Sequence, residues 1–130
     1  MSKRTYTDPA SEGAPADDKL LVWLHGEVKS PPFGRSARVE TGFLLRLLQR
    51  GKKLSLPHSR PMPPIGSRCH ELRVTDLNTQ WRLIYRTDDD AIVIADVFVK
   101  KSATTPPGVI ATCRERLKRY DDAQTKAQSP

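Results

Sequence analysis

Cysteine is scarce in this chain. Only Cys69 and Cys113 occur, and no CxxC pair is present. That usage fits a reducing compartment and small packing residues rather than a disulfide framework. No apolar run approaches the length of a membrane span, and no apolar leader-like segment opens the chain. Both absences point to the cytoplasm. His25, His58 and His70 lack metal-ligand spacing, and no HExxH motif or cysteine cluster accompanies them. Neither a metal nor a cofactor is therefore expected. A Walker loop and a GxGxxG motif are both missing, which removes the common nucleotide-binding signatures. Nothing points to a Ser/His/Asp triad. Acidic residues are thin in the middle of the chain: from Arg46 to Arg86, nine Lys or Arg face only Glu71 and Asp76.

What the chain does have is positive charge. It carries 130 residues and a formal net charge of +7. That length suits one domain able to bury its own core. Residues 1–18 hold two basic and four acidic side chains, so the excess of cations lies entirely beyond them. A concentrated basic patch attracts polyanions, nucleic acid first, through counterion release. A merely solvated basic surface has the same composition, so charge alone does not decide.

Four segments predict little regular structure. Residues 1–18 are polar and aperiodic, which predicts a disordered tail. "KSPPFG" breaks structure near residue 30. "SLPHSRPMPPIGSR" is a loop stiffened by four prolines, and it presents His58, Arg60 and Arg68. The last residues, 124–130, should fray, leaving a folded domain over 19–123.

The remaining segments are periodic. Leu20 to Leu24 predict a first strand. Residues 35–54 predict a helix, with Val39, Phe43 and Leu47 at four-residue steps, Leu44 and Leu48 beside them, and Gly51 as the terminator. Three strands follow at Cys69–Thr75, Trp81–Thr87 and Ala91–Lys100, with turns at "DLNTQ" and "DDD". Strand alternation puts Leu72, Val74 and His70 on one face and Glu71 and Arg73 on the other. It likewise separates Trp81, Leu83 and Tyr85 from Arg82, Ile84 and Arg86. A last helix begins at Pro106 or Pro107, with Ile110, Cys113, Leu117 and Tyr120 as its apolar stripe. The order predicts an α+β fold: a small antiparallel sheet with helices packed on one face.

Arginine, lysine and histidine with few carboxylates suit a phosphodiester. Guanidinium groups clamp phosphate oxygens in pairs, and fixed cations stabilise a pentacoordinate transition state. RNA brings its own 2′-hydroxyl nucleophile, so only a base and an acid are required, and histidine is the usual residue for both. Each candidate also has a plainer reading. His70 shares a face with Leu72 and Val74 and reads as a core histidine. Arg86 precedes "TDDD" and reads as an ion-pair partner. Arg73 has Glu71 or Asp96 as plausible partners.

The stretches "WLHGEVKSPPF", "LLRLLQRG", "LPHSRPMPPIGSRCHELR", "WRLIYR", "VFVKK" and "TTPPGVI" stand in this order along residues 20–122. Together they resemble the phage-derived branch of the RelE-like toxins, close to HigB. The resemblance implies a small antiparallel sheet with helices on one face. It also implies the toxin of a type II toxin–antitoxin pair, a metal-independent endoribonuclease (mRNA interferase) that cuts mRNA by 2′-hydroxyl attack, often on the ribosome. The implied partner is a cognate helix-turn-helix antitoxin. The implied site has Arg73 on the scissile phosphate, Arg82 supporting it, and Lys100 and Lys101 as the basic residues after the last strand. His58 and Arg60 fall in the loop that keeps further basic or histidine residues, and His58 is the candidate base or acid. Arg46, Arg50, Lys52, Lys53, Arg60 and Arg68 are the expected RNA-binding cations. Some relatives carry a C-terminal catalytic tyrosine, whereas Tyr120 here stands along the last helix. The alternative is a RelE-fold module that binds RNA or an antitoxin without cutting.

Overall fold

The computed structural model describes residues 18–128. The elements in chain order are β1 (Leu20–Trp23), α1 (Arg35–Gln49), β2 (Ser59–Pro61), β3 (Cys69–Asp76), β4 (Thr79–Thr87), β5 (Ala91–Val99) and α2 (Pro107–Gln128). The expected α+β class holds. The strands form one open sheet in the order β1-β5-β4-β3-β2. Strands β2 to β5 pair antiparallel, as expected of the three hairpin-linked strands. The expectation of a wholly antiparallel sheet fails at one edge, because β1 pairs parallel with β5, Leu20 opposite Ala91. A parallel neighbour needs a long crossover, and everything from α1 to β4 lies between the two strands.

The helices do not share a face. Helix α1 contributes Ala37, Leu44, Leu45 and Leu48 to a core with Leu72, Val74, Leu83, Ile92 and Ile94. Helix α2 contributes Cys113 and Leu117 to a second core with Cys69, Ile84, Val93 and Ala95. The reason lies in β5, whose alternate residues are buried in both directions, so each face of the sheet requires a cover. The arginines at 73, 82 and 86 made one face read as open, yet α2 covers its Cys69 end.

Helix α1 buries Leu44 and Leu48 as predicted, with Leu47 packed against them, but not the Val39 and Phe43 end of the predicted stripe. Val39 and Phe43 are 60% and 61% exposed, while Ala37 and Thr41 are buried. Two apolar stripes overlap on this helix, and Ala37 and Thr41 join Leu44, Leu45 and Leu48 on the side that faces the sheet. The Thr41 hydroxyl is satisfied inside by donating to the Ala37 carbonyl at 2.7 Å. Gly51 does end the helix, at φ +88°, and the Gly51 and Lys52 amides bond back to Leu48 and Leu47. At the other end the Gly34 amide donates to Asp76 Oδ2 at 2.6 Å, tying the start of α1 to the β3–β4 hairpin.

Two further differences bear on the site. The proline loop contains an edge strand, β2, whose Pro61 can sit there because an edge needs no further amide donor. Helix α2 runs to Gln128, past the expected end at 123. Of the expected tail, residues 1–17 lie outside the described residues, and Asp18 is buried with Oδ2 3.2 Å from Arg46 Nη2.

Candidate functional site

The site forms on the α2 face of the sheet, at the end that α2 leaves uncovered. Strand alternation sends Glu71 and Arg73 of β3 and Arg82 of β4 to that face. Glu71 is fully buried among cations. Its Oε1 accepts a 2.9 Å hydrogen bond from Arg60 Nε, across the β2–β3 register. Its Oε2 accepts a 2.9 Å bond from the Thr105 hydroxyl, on the segment leading into α2. Lys100 Nζ lies 3.6 Å from Oε2, and Arg82 Nε lies 3.6 Å from Oε1. One carboxylate thus organises three cations drawn from β2, β4 and the end of β5.

Burial pushes the Glu71 carboxyl up. The hydrogen bonds from Thr105 and Arg60 and the charges of Lys100 and Arg60 outweigh that effect, so its pKa falls below the ordinary glutamate value. Lys100 and Arg82 move the other way from most paired cations. Burial, together with neighbouring Arg60 and Arg82, lowers Lys100 despite Glu71. Burial and neighbouring Arg73 lower Arg82.

Arg73 and Arg82 stand directly opposite each other in the β3–β4 register. Like charges at such a position repel. Arg82 is 5% exposed, and its Nε has no hydrogen-bond partner among the described residues. Arg73 is half-buried and has no carboxylate partner among them. The partners anticipated for it are engaged elsewhere: Glu71 with Arg60, and Asp96 with Arg116 at 3.4 Å. The two arginines line an open depression of about 600 Å³ with Leu56, Pro57, Thr75 and Gln80. Two guanidinium groups with unused donors, side by side at a depression, are suited to an anion with several oxygens.

The other expected residues lie in several places. The main chain of His58 adjoins the site, since its carbonyl accepts from the Arg73 amide at 2.8 Å. Its exposed side chain does not line the depression. Lys101 is exposed just beyond β5. Arg68 belongs to a different neighbourhood, 3.4 Å from Asp88, near a larger groove of about 810 Å³ between the 65–69 loop and α2. Four strand residues, about 13 Å, separate that end of β3 from Arg73. Arg46, Arg50, Lys52 and Lys53 sit at the C-terminal end of α1, the helix that covers the opposite face, and Arg46 pairs with Asp18.

Arg86 takes the ion-pair role its sequence context suggested. It donates to both oxygens of Asp121 on α2, at 2.8 and 2.9 Å, and to both oxygens of Asp88. The Asp121 and Asp88 carboxylates hold its proton more firmly than usual, against the effect of burial. This link fastens α2 to β4 and supplies no free donor face. His70 is half-buried on the α1 side and stacks on Tyr85 at 5.3 Å, as a core histidine would. Tyr120 packs against the α2 core.

Sequence reasoning missed Glu71, Thr105, Thr75 and Gln80 as site residues. For Glu71 a signal existed: it is one of two carboxylates in a basic stretch, and it shares a strand face with Arg73. Thr105, in "TTPPGVI", carries no local signal.

A model of the phage derived protein Gp49-like family (DUF891) matches residues 32–118, more than half of the chain. That span includes the whole of the Glu71 cluster and the Arg73–Arg82 pair. No curated protein and no solved structure matches the chain. No helix among the described residues is long and apolar enough to cross a membrane.

Proposed function

Because the chain belongs to the Gp49-like phage-derived family, and its motifs resemble the RelE- and HigB-type toxins, we propose that it is the toxin of a type II toxin–antitoxin pair. On this reading it acts in the cytoplasm as a metal-independent endoribonuclease on mRNA, at the ribosome, and a helix-turn-helix antitoxin restrains it. The observation that supports the reading best is the Arg73–Arg82 pair. Two like charges are held together, with donors unused, beside an open depression. A fold gains nothing from such a pair, whereas a phosphodiester would neutralise it.

The residues divide the work as follows. Arg73 holds the non-bridging phosphate oxygens. Arg82, fixed by Glu71, offsets charge as it builds on phosphorus. The substrate 2′-hydroxyl loses its proton to a base and forms the new bond to phosphorus. The bond to the 5′ oxygen breaks, and that oxygen takes a proton. The products are a 2′,3′-cyclic phosphate and a 5′-hydroxyl. Lys100, held at the same cluster by Glu71, offsets developing charge and is the candidate proton donor. His58 is the candidate base; its main chain adjoins the site through the Arg73 amide.

One observation favours a non-catalytic reading, in which the protein binds RNA or antitoxin only. The His58 side chain does not line the depression. Expression in a bacterial host separates the two. The catalytic reading expects growth arrest with cut transcripts, relieved by Arg73→Ala. It also expects pre-formed complexes to resist cleavage when the scissile nucleotide carries a 2′-methoxy group, and cutting of the unmodified strand to persist in EDTA. Expression of the intact chain with neither slowed growth nor reduced translation removes the toxin reading.

A further inference from the structure

The depression beside the two arginines holds more than phosphate chemistry. Three of its lining residues, Leu56, Pro57 and Gln80, have no evident part in clamping an anion. Leu56 is 63% exposed, so its apolar side chain is accessible at the edge of the charged cluster. It sits next to Pro57, which fixes the backbone there, so the apolar surface is presented without much loss of freedom on binding. On the opposite wall the Thr75 hydroxyl donates to Gln80 Oε1 at 3.2 Å. That bond orients the carboxamide, and its Nε2 hydrogens have no protein partner among the described residues. Main-chain pairing holds the same residue in place, as the Gln80 carbonyl accepts from the Lys100 amide at 2.8 Å.

An accessible apolar surface, two guanidinium groups and an oriented amide donor make up the recognition set for a nucleobase of a single strand. Such bases are splayed out, stacked on apolar or guanidinium surfaces, and read along their hydrogen-bonding edges. We infer that this depression is a base pocket. It takes the nucleobase next to the phosphate held by Arg73, with Leu56 and Pro57 against one face of the ring. Gln80, positioned by Thr75, donates to a ring nitrogen or carbonyl oxygen on its edge. The inference rests on the RNA-binding half of the proposal above and adds to it the residues that set base preference.

The test is equilibrium binding by the full chain, followed by fluorescence anisotropy. The probes are short single-stranded oligoribonucleotides of each base and an abasic ribose-phosphate chain of the same length. The wild type should bind the best homopolymer on the order of tenfold more tightly than the abasic chain, as expected for one stacked base. Leu56→Ser should bring that ratio close to one. Gln80→Leu, which keeps the apolar contact, should instead level the differences among the four bases. In both variants the dependence of affinity on salt should stay unchanged, because the phosphate contacts remain. Arg73→Ala should instead reduce the salt slope by about one, because it removes a phosphate contact. Leu56 is exposed and Gln80 half-exposed, so unfolding is not expected, and near-ultraviolet circular dichroism checks this. If the wild type binds RNA with the expected salt slope but does not distinguish it from the abasic chain, the base pocket is wrong and the RNA reading stands. The same holds if Leu56→Ser and Gln80→Leu leave the preferences intact. If the wild type binds none of the probes, both fail.

Discussion

The two faces of the sheet are made from the same three strands and are stabilised in different ways. Toward α1, Leu72, Val74, Leu83, Ile92 and Ile94 form a dry apolar layer. Toward α2, apolar packing covers only the Cys69 and Ile84 end, and beyond it the buried groups are charged. Removing atoms from the first face leaves a void. Removing a group from the second leaves a charge without its counterpart. The contrast shows where this fold can tolerate change. The apolar face fixes the shape. The charged face is held by Glu71, yet Arg73 has no carboxylate partner and Arg82 Nε no hydrogen bond among the described residues.

The largest effect expected from breaking this contrast is on the apolar face. Leu83→Ala should lower stability by about 2–5 kcal/mol, the usual cost of a buried leucine cavity. A denaturant titration measures it, and any RNA bound by the remaining folded protein should show an unchanged salt slope. Next comes the centre of the charged face. Glu71→Gln keeps the size of the side chain but leaves Arg60, Arg82 and Lys100 facing one another, and should lower stability by about 1–3 kcal/mol. It should also change the acid response. The folded-state pKa of Glu71 is depressed. Its stabilising contribution is therefore complete above the unfolded glutamate value, about 4.3, and is lost as pH falls through the lower folded value. The wild type should lose stability over that acid window more steeply than the glutamine variant, and urea midpoints at several pH values would show it. A parallel loss in both variants would mean that Glu71 does not organise the cluster.

The smallest effects sharpen the comparison. Arg73→Ala should change stability by no more than about 0.5 kcal/mol, because it removes a repulsive neighbour and no core volume. Phe43→Ser on the outer side of α1 should be equally mild, despite its place in the stripe predicted from sequence. A cost of several kcal/mol for Phe43→Ser would restore that stripe as the buried one.

The sequence made the strands of the hairpin unit legible to within a few residues, because the 69–75 and 81–87 stretches alternate and 91–99 is a continuous apolar run. It also made Gly51 legible as a helix end and Arg86 as an ion-pair arginine. The facing of α1 was not legible, since Ala37 and Thr41 are less apolar than Val39 and Phe43 and lie inward only because α1 packs close to the sheet. The parallel edge strand was hidden for another reason: nothing within Leu20–Trp23 states its partner. At the site, Arg73 and Arg82 were readable as a pair of candidates. Their juxtaposition in register was not, because it depends on the length of the turn between β3 and β4. From sequence Glu71 reads as a partner for Arg73; in the fold it is Arg60, Arg82 and Lys100 that converge on it.

The parallel pairing of β1 with β5 has a consequence in time. The β3–β4 and β4–β5 hairpins join neighbours in sequence and close short loops. Leu20 meets Ala91 only after most of the chain has been gathered in. Contacts between such distant residues carry the largest loop-closure cost and tend to form late. Substitutions in β1 should therefore speed unfolding while leaving the folding rate nearly untouched, in contrast to substitutions in β4. During synthesis β1 leaves the ribosome well before β5 and has no strand to pair with until β5 follows. When β5 does emerge, its β1-facing edge stays open until that first strand docks, and this is the interval in which a nascent chain is most exposed to pairing with another copy of itself.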